Sequence, residues 1–358
     1  MRLAYLFRGG RRARLNEAGP REFTYGYAEL AAAGVPVEIL EEGDFGLERE
    51  WPRFFEAIAN RVSAFAGIHP RTLWSLYSNR ARLAQFDMVV ATNHALGLAL
   101  ALLGRLGCVR VRTTLLTMGL VEPDAARLRL AWLGWILANA RLAVLSKSEA
   151  TSLRGIFADR LDIRDFVFGV DLDFWTPDKN VPRDGDVLSV GNDWKRDFAT
   201  LVEAWRPEFP QLSIVTSLPV ANAKSNVRIE RGDWRSAQIS DLDLRDRLRR
   251  ARLVVVPLVD TLQPSGQSAA LQAMACGCPV VLTANRGLWD RAQLERHRAA
   301  WLVPPGDAAA LGDAVAALLA DRADAGAMGM RARAMLESED ISSAAMARQM
   351  RAMAGLEP

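Results

Sequence analysis

"QPSGQSAALQAMACGCPVVLT", residues 263–283, carries no charged side chain. It begins with small and polar residues, continues through an apolar, helix-favouring run and ends on a β-branched segment. Ser265, Gly266, Gln267 and Ser268 therefore stand at the start of a predicted helix that leads into a buried strand. Two interpretations of this start are open. It is an ordinary serine-capped helix, or it is a cradle where free N–H groups and the helix dipole hold a phosphate.

Strand-like and helix-like segments alternate along the rest of the chain. The strand-like segments are β-branched and do not alternate in polarity, as in "MRLAYLF" (1–7), "DVLSVGN" (186–192) and "RLVVVPL" (252–258). Such strands are typical of parallel sheets covered by helices on both faces. Two successive series predict an α/β fold with two Rossmann-like domains.

The domain boundary is predicted in a stretch rich in Pro, Asp and Gly, residues 171–186. The first domain then covers 1–170 and the second covers 171–340. The remaining residues, 341–358, are expected to form a helix that can pack back on the first domain.

Charge and cysteine content restrict the class of protein. Residues 1–170 hold 22 Lys or Arg against 17 Asp or Glu, and the rest of the chain is slightly acidic. This balance is too weak for a dedicated nucleic-acid binder, but it favours an anionic substrate or an anionic membrane surface. Three cysteines argue against a disulfide framework, and scattered histidines predict no metal site. Without a signal peptide or an apolar run of spanning length, we expect a cytoplasmic protein.

A second polar strand end lies in "VLSVGNDWKRDFATLVEA", residues 187–204. Gly191 follows the strand, and Lys195 and Arg196 are predicted to open the next helix. Because cations are unfavourable at a helix N-terminus, two in succession call for a compensating anion. The alternative is a solvated Lys–Arg pair.

Several ordered motifs resemble the GT-B glycosyltransferases of the retaining family-four type. They are "FGVDLDFWTP" (168–177), "VLSVGNDWKRDFATLVEA", "LQAMACGCPVV" (271–281) and "WLVPPGDAAALGDAVAALLAD" (301–321). The resemblance covers residues 85–358 and is strongest over 165–320. It implies two Rossmann-like domains whose parallel sheets face across a cleft, with a nucleotide-sugar donor in the second and an acceptor in the first. It also implies retention of anomeric configuration and no metal or other cofactor.

The resemblance assigns donor-binding roles in the second domain. Arg196, adjacent Lys195 and the amides of 265–268 would hold the donor pyrophosphate, beside Gly191 and Asn192. Arg196 would also act in catalysis by stabilising charge on the leaving phosphate. Trp234 matches a position beside the nucleobase, although a core or lid aromatic fits it equally well.

The chain departs from the family at its two glutamates. Gln272 occupies the second glutamate position, where it can still hydrogen-bond ribose hydroxyls, and Pro264 falls at the first. The preceding loop is longer than usual, so Asp260 is a candidate to reach the donor sugar as a catalytic carboxylate. Asn192 replaces the arginine that the family carries after the glycine.

In the first domain, polar or permissive residues follow two strands. His94 follows "DMVVATN", and Gly9 and Gly10 follow the first strand. We expect these residues on the acceptor side, with His94 as a catalytic candidate, although a capping or core histidine is an open alternative. Met118 stands where the family tends to carry a histidine.

A segment rich in aromatics and arginine, residues 48–83, has two interpretations. It is a helix pair packed on the sheet, or a surface that touches anionic lipid at the inner face of a membrane. Its aromatic residues are Trp51, Phe54, Phe55, Phe65, Trp74 and Tyr77. Trp132 and Trp135 would extend such a surface.

The sequence thus predicts a glycosyltransferase that moves a sugar from a nucleotide sugar to a glycan, lipid-linked or small-molecule acceptor. Two alternatives stay open. One is a nucleotide-sugar epimerase on the same fold. The other is a binding protein without catalysis, which the missing glutamates motivate.

Overall fold

A computed structural model describes residues 1–15, 19–46, 53–122, 125–221, 224–232 and 239–356, except for the side chains of 53–58 and 62. Trp51 and Trp234 lie outside the described residues, as do the side chains of Phe54 and Phe55.

By its internal contacts the chain divides into two compact units. The first comprises Met1–Ala18, Thr24–Val167 and Met346–Pro358. The second comprises Gly19–Phe23 and Phe168–Ala345.

The first unit is built on a six-stranded parallel sheet. Its strands are β1 (Leu3–Phe7), β2 (Val37–Glu41), β3 (Met88–Ala91), β4 (Arg112–Thr117), β5 (Ala140–Val144) and β6 (Asp162–Asp165), in the order β2-β1-β3-β4-β5-β6. The chain leaves β1 for β2 on one side and returns to β3 on the other. The order therefore reverses between β1 and β3, where Leu3 pairs with Met88.

Helices follow the strands of this sheet. They are α1 (Arg11–Arg14), α2 (Tyr27–Ala32), α3 (Arg53–Ala66), α4 (Pro70–Ser78), α5 (Arg80–Leu83), α6 (His94–Arg105), α7 (Arg127–Leu137) and α8 (Lys147–Phe157). The Asn93 side chain caps α6 by accepting from the amides of Ala95 and Leu96. Every residue from Leu96 to Leu103 is buried, so α6 contributes most of its length to the core.

The second unit repeats the architecture. Its parallel strands are β7 (Val187–Val190), β8 (Leu212–Val215), β9 (Val227–Glu230), β10 (Val254–Val256), β11 (Val280–Thr283) and β12 (Trp301–Val303), in the order β12-β11-β10-β7-β8-β9. Here the order reverses between β7 and β10. Its helices are α9 (Phe198–Ala204), α10 (Asp241–Arg250), α11 (Gln267–Ala275), α12 (Arg291–His297), α13 (Ala308–Ala320) and α14 (Arg322–Ser338), followed by α15 (Ser343–Ala354).

The prediction of two Rossmann-like domains is confirmed. The unit boundaries differ from the predicted ranges 1–170, 171–340 and 341–358 because of contacts distant in sequence. Val170 forms an isolated parallel bridge with Ser342, and the amide of Ser343 donates to the Val170 carbonyl oxygen at 2.9 Å. This pairing keeps the Gly-Val-Asp motif and residues 341–345 in the second unit.

Candidate active site

The candidate donor site lies beyond the carboxyl ends of β7 and β10, where the second sheet reverses its strand order. Ligands bind at such switch points in open α/β sheets. The loop after β7 pairs with the segment after β10 through a bridge between Arg196 and Leu258. The Val259 amide donates to the Lys195 carbonyl oxygen at 2.9 Å, and the Asp197 amide to that of Pro257 at 3.1 Å. These bonds bring two separately predicted stretches together.

Arg196 is a buried cation at the carboxyl ends of β7 and β10. Its side chain is 3 % exposed, and its Nε donates to Asp193 Oδ2 at 2.8 Å. Its Nη1 is buried and has no hydrogen-bond partner among the residues that the structure describes. Burial lowers the pKa of Arg196, against the opposing effect of Asp193. A buried donor without an acceptor is costly, so an anion placed at Nη1 would offset that cost.

Two glycines leave room for this guanidinium. A β-carbon on Gly191 would lie 2.2 Å from Nε and 2.3 Å from Cζ of Arg196. A β-carbon on Gly266 would lie 3.3 Å from Nη1 of the same residue. Arg196 is therefore packed between the loop after β7 and the start of α11.

The start of α11 has no side-chain cap. Its N-cap residue is Gly266, with φ 73°, and no side chain accepts from the first turn there. The interpretation as a serine-capped helix is therefore wrong. The hydroxyl oxygen of Ser265 is also buried and has no partner in the described part of the chain. Gln267 is buried and Ser268 is half-buried. The helix start thus presents amides, a positive dipole end and a hydroxyl beside a buried guanidinium.

The prediction that Lys195 and Arg196 open the next helix is wrong. Helix α9 begins at Phe198, and Asp197 caps it by accepting from the Thr200 amide at 3.0 Å. The two basic residues lie in the preceding loop, so the argument from unfavourable helix-start cations does not apply. What marks Arg196 instead is its burial against Gly191 and Gly266.

Asn192 and Gln272 are both engaged by protein atoms. Asn192 Nδ2 donates to the Gly232 carbonyl oxygen at 2.8 Å, and its Oδ1 accepts from the Ser217 amide at 2.5 Å. Asn192 therefore joins the strand ends of β7, β8 and β9. Gln272 Nε2 donates to Glu22 Oε1 at 2.9 Å. No sequence pattern indicated this partner, which lies 250 positions away.

Asp260 pairs with Arg286 in the loop after β11. Its carboxylate accepts from the Arg286 amide at 3.1 Å and from Nε at 2.8 Å. Asn285 Nδ2 donates to the Val259 carbonyl oxygen at 3.2 Å, while Asn285 Oδ1 is buried with no partner among the described residues. Asp260 thus joins the loops after β10 and β11. Asn285 is a polar group of the edge that sequence reasoning missed.

In the first unit, the predicted acceptor-side residues lie at its own switch point. Gly9 and Gly10 follow β1, and a β-carbon on either would meet nothing within 4 Å. His94 follows β3 as the first residue of α6, and its Nε2 accepts from the Met118 amide at 3.1 Å. Burial lowers the pKa of His94 to about 4. The ring is neutral at pH 7, and its proton lies on Nδ1.

A buried carboxyl that sequence reasoning missed holds the same loop. Glu149 Oε1 accepts from the Leu120 amide at 2.8 Å, while Oε2 is buried and no described residue bonds to it. Burial raises the pKa of Glu149, against the backbone hydrogen bonds of Gly119 and Leu120. Glu149 and His94 together fix the backbone of residues 118–120 after β4.

The described residues hold no group of three or more His, Cys, Asp or Glu arranged to bind a metal. Burial raises the pKa of Cys276 to about 12 and that of Cys278 to about 11, so both thiols are unreactive at pH 7.

Within the described part of the chain, no helix combines the length and apolar composition needed to cross a bilayer.

Residues 186–321 match the family model described as glycosyl transferases group 1. This stretch of the second unit is thus similar to a glycosyltransferase domain. It contains Gly191, Arg196, the start of α11 and Gln272. The prediction of a glycosyltransferase is confirmed, and the matched residues coincide with the second unit's sheet. A search of curated protein sequences finds no match.

Solved structures share the fold of this protein, with its two units. Sucrose-phosphate synthase from Thermosynechococcus elongatus is 21% identical, with 99% of this chain and 98% of that chain covered and a TM-score of 0.72. Anabaena HepE in complex with UDP-glucose is 13% identical, with 99% of each chain covered and a TM-score of 0.67. A glycosyltransferase from Rickettsia africae is 12% identical, with 98% and 97% covered and a TM-score of 0.68. The GT-B fold prediction is confirmed.

Proposed function

We propose that this protein transfers a sugar from a nucleoside-diphosphate sugar to an acceptor, with retention and without a metal. The observation that carries the proposal is the pair of buried, unpartnered donors at the second switch point, Arg196 Nη1 and Ser265 Oγ. They flank the uncapped start of α11. A diphosphate would satisfy both donors and the helix amides together. Because HepE has been crystallised with UDP, we choose UDP as the first nucleotide to test.

The chemistry follows from where charge develops. As the glycosidic bond breaks, the sugar becomes oxocarbenium-like and negative charge grows on the β-phosphate. Arg196 and the α11 amides are preorganised donors for that charge, so the proposed mechanism needs no metal ion. Glycine at 191 and 266 keeps these donors close to one another.

On the acceptor side, we assign His94 the role of a hydrogen-bond donor. Its Nε2 is occupied by the Met118 amide, and its low pKa keeps the ring uncharged. The Nδ1–H group is then the one polar function of the ring left to meet a hydroxyl or phosphate oxygen. Gly9 and Gly10 lie at the end of the neighbouring strand, and a β-carbon on either would meet no described atom within 4 Å.

The test is calorimetry with UDP on wild type and Arg196→Ala. Loss of a charge-assisted hydrogen bond costs about 1.5–3 kcal/mol, so we expect a fall in affinity of about tenfold or more. Equal affinity would remove Arg196 from the site. Incubating the protein with donor alone distinguishes a transferase from the two alternative functions, an epimerase and a non-catalytic binding protein. An epimerase isomerises the donor sugar, a transferase hydrolyses it slowly, and a binding protein leaves it unchanged.

We also propose that the first unit contacts an anionic membrane surface through a patch on α3, α6 and α7. Leu128, Trp132 and Trp135 are spaced i, i+4 and i+7 and so share one face of α7. Leu128 is 69% exposed and Trp135 is 41% exposed. Trp132 Nε1 donates to the Ala66 carbonyl oxygen at 3.2 Å, which joins this face to the end of α3.

Exposed apolar and basic side chains extend the patch. Phe65 precedes Ala66 and is exposed, and Leu106 is exposed at the end of α6. The Arg105 guanidinium lies 5.5 Å from the Trp135 ring centroid. Residues 57–148 hold eleven Lys or Arg but three Asp or Glu. Exposed aromatic and aliphatic groups beside a basic side chain, in a stretch of sequence with excess positive charge, fit a surface of anionic lipid.

Vesicle co-sedimentation tests this contact. Vesicles of phosphatidylcholine with one-third phosphatidylglycerol should bind the protein, and those of phosphatidylcholine alone should bind it weakly. Leu128→Gln/Trp135→Gln should lose binding, whereas Trp194→Gln, which removes an exposed tryptophan of the second unit, should keep it. Binding unaffected by the double variant contradicts the proposal. So does a dimer in solution that the same variant dissociates, because the patch would then serve a second copy.

A further inference from the structure

Glu22 is a buried carboxyl that neither the sequence motifs nor the proposed chemistry uses. Its side chain is fully buried, and it belongs to the short segment Gly19–Phe23 that groups with the second unit. Arg21 next to it donates from Nε to Asp171 Oδ2 at 2.7 Å. This ion pair ties the segment to the Gly-Val-Asp motif.

Both oxygens of Glu22 accept hydrogen bonds from other residues of the second unit. Oε1 accepts from Gln272 Nε2 at 2.9 Å and from Trp175 Nε1 at 2.9 Å. Oε2 accepts from the Asp171 amide at 3.2 Å. Burial raises the pKa of Glu22 to about 7, although these hydrogen bonds oppose the rise.

The carboxyl decides which way the Gln272 amide faces. A side-chain amide has a donor end and an acceptor end, and both ends fill almost the same space. Because Glu22 Oε1 already receives a donor from Trp175, it is an acceptor for Gln272, and the amide nitrogen must face it. The Gln272 oxygen is then turned away, and no partner for it is recorded among the described residues.

Gln272 also lies within reach of a nucleotide bound at the start of α11. Six residues of helix from Gly266 to Gln272 span about 9 Å, and helical side chains lean towards the N-terminus. A nucleotide whose diphosphate sits at Gly266 would extend its ribose along this helix. Ribose hydroxyls are donors, and the outward Gln272 oxygen is an acceptor.

We propose that Glu22 is a positioning residue that holds the Gln272 amide with its oxygen towards a ribose hydroxyl of the bound nucleotide. This inference rests on the proposed function. In place of a carboxylate at position 272, the chain would use an amide whose orientation is fixed from a distant segment. Glu22 itself does not touch the ligand.

The test is a calorimetric cycle that combines protein variants with altered ligands. Glu22→Met removes the acceptor, and Glu22→Gln keeps it, because two donors face the Oε1 position and one faces Oε2. We expect Glu22→Met to weaken UDP about three- to tenfold, the value of one hydrogen bond, and Glu22→Gln to bind like wild type. Affinities for 2′,3′-dideoxy-UDP and for pyrophosphate should stay unchanged in both variants.

A second comparison examines whether Glu22 acts through Gln272. Gln272→Met should lose the same factor for UDP, and Glu22→Met/Gln272→Met should lose no more than Gln272→Met alone. Should Glu22→Met fail to fold, Glu22→Ser replaces it, since serine is too short to reach Gln272.

The outcomes separate the two proposals. Equal losses for UDP, dideoxy-UDP and pyrophosphate, additive losses in the double variant, or undiminished UDP binding by Glu22→Met would overturn the role of Glu22 and leave the donor site standing. Wild-type protein that binds neither UDP nor pyrophosphate would overturn the donor site itself, and the role of Glu22 with it.

Discussion

Arg196 packs its guanidinium against the α-carbon of Gly191, so closely that a β-carbon there would lie within 2.4 Å of three guanidinium atoms. Backbone strain does not explain this glycine, since its φ is not positive. The space it leaves is what the buried arginine occupies. The absence of a side chain at Gly191 therefore matters for the candidate donor site because it lets Arg196 take its buried position.

Gly191→Ala should therefore weaken UDP binding by displacing Arg196. We expect a loss of about tenfold, close to that of Arg196→Ala, because the same charge-assisted contact is lost. Gly326→Ala is the matched control, since a β-carbon at this helical glycine of the same unit meets nothing within 4 Å. The control should bind UDP normally and be slightly more stable. Calorimetry and thermal unfolding of both variants decide between displacement and a general loss of fold.

Sequence patterns predicted the parts of this molecule that depend on neighbouring residues. The two parallel sheets follow from short β-branched runs, and the start of α11 was located by an uncharged stretch beside glycine. Roles that depend on distant contacts were not accessible in the same way. Glu22 is 250 positions from Gln272, so no local pattern indicated that the two side chains meet.

The error at Lys195 and Arg196 has a local cause. Asp197 follows them directly, and aspartate is a preferred N-cap residue. Its carboxylate accepts from the Thr200 amide and hydroxyl, so the helix begins after the basic pair. Aspartate at position 197 thus marks the helix start and places the two cations in the loop before it.

Asp260 was expected near the donor sugar as a catalytic carboxylate. Its contacts with Arg286 instead indicate a structural role. Because it joins two loops through Arg286, Asp260→Ala and Arg286→Ala should have the same effect. An exposed pair contributes at most about 1 kcal/mol, so both variants should lower the melting temperature slightly and reduce UDP affinity little. Measured donor turnover is the deciding quantity. A large loss in Asp260→Ala, with Arg286→Ala near wild type, would instead make Asp260 a catalytic carboxylate.

His94 should remain neutral throughout the physiological range. Its pKa of about 4 in the folded protein lies below the ordinary value near 6.5, so the unfolded chain takes up the proton first as pH falls. The stability that His94 contributes is present above pH 6.5 and is lost between pH 6.5 and 4. In NMR titrations the His94 ring signals should stay constant from pH 8 to 5. A midpoint near 6.5 would mean that the ring is exposed and free to act as a base.

The contribution of Glu22 to stability should change with pH in the direction opposite to that of His94. Its pKa of about 7 lies above the ordinary 4.5, so the folded protein holds a proton that the unfolded chain has released between these values. Stability from this group is present below pH 4.5 and is lost as pH rises through 7. Burial raises the pKa of the neighbouring Asp171, but the hydrogen bonds and charge of Arg21 outweigh this effect and lower it. Asp171 therefore stays ionised over this pH range.

Comparison of wild type with Glu22→Gln isolates this group, because glutamine is neutral at every pH. The melting temperature of the variant relative to wild type should rise between pH 5 and pH 8, by up to several degrees for a difference of about 3 kcal/mol. Glu208→Gln, which alters an exposed carboxyl of the same unit, should show no such trend. A difference between Glu22→Gln and wild type that stays constant with pH would show that Glu22 is already ionised at pH 5 and that its hydrogen bonds outweigh its burial.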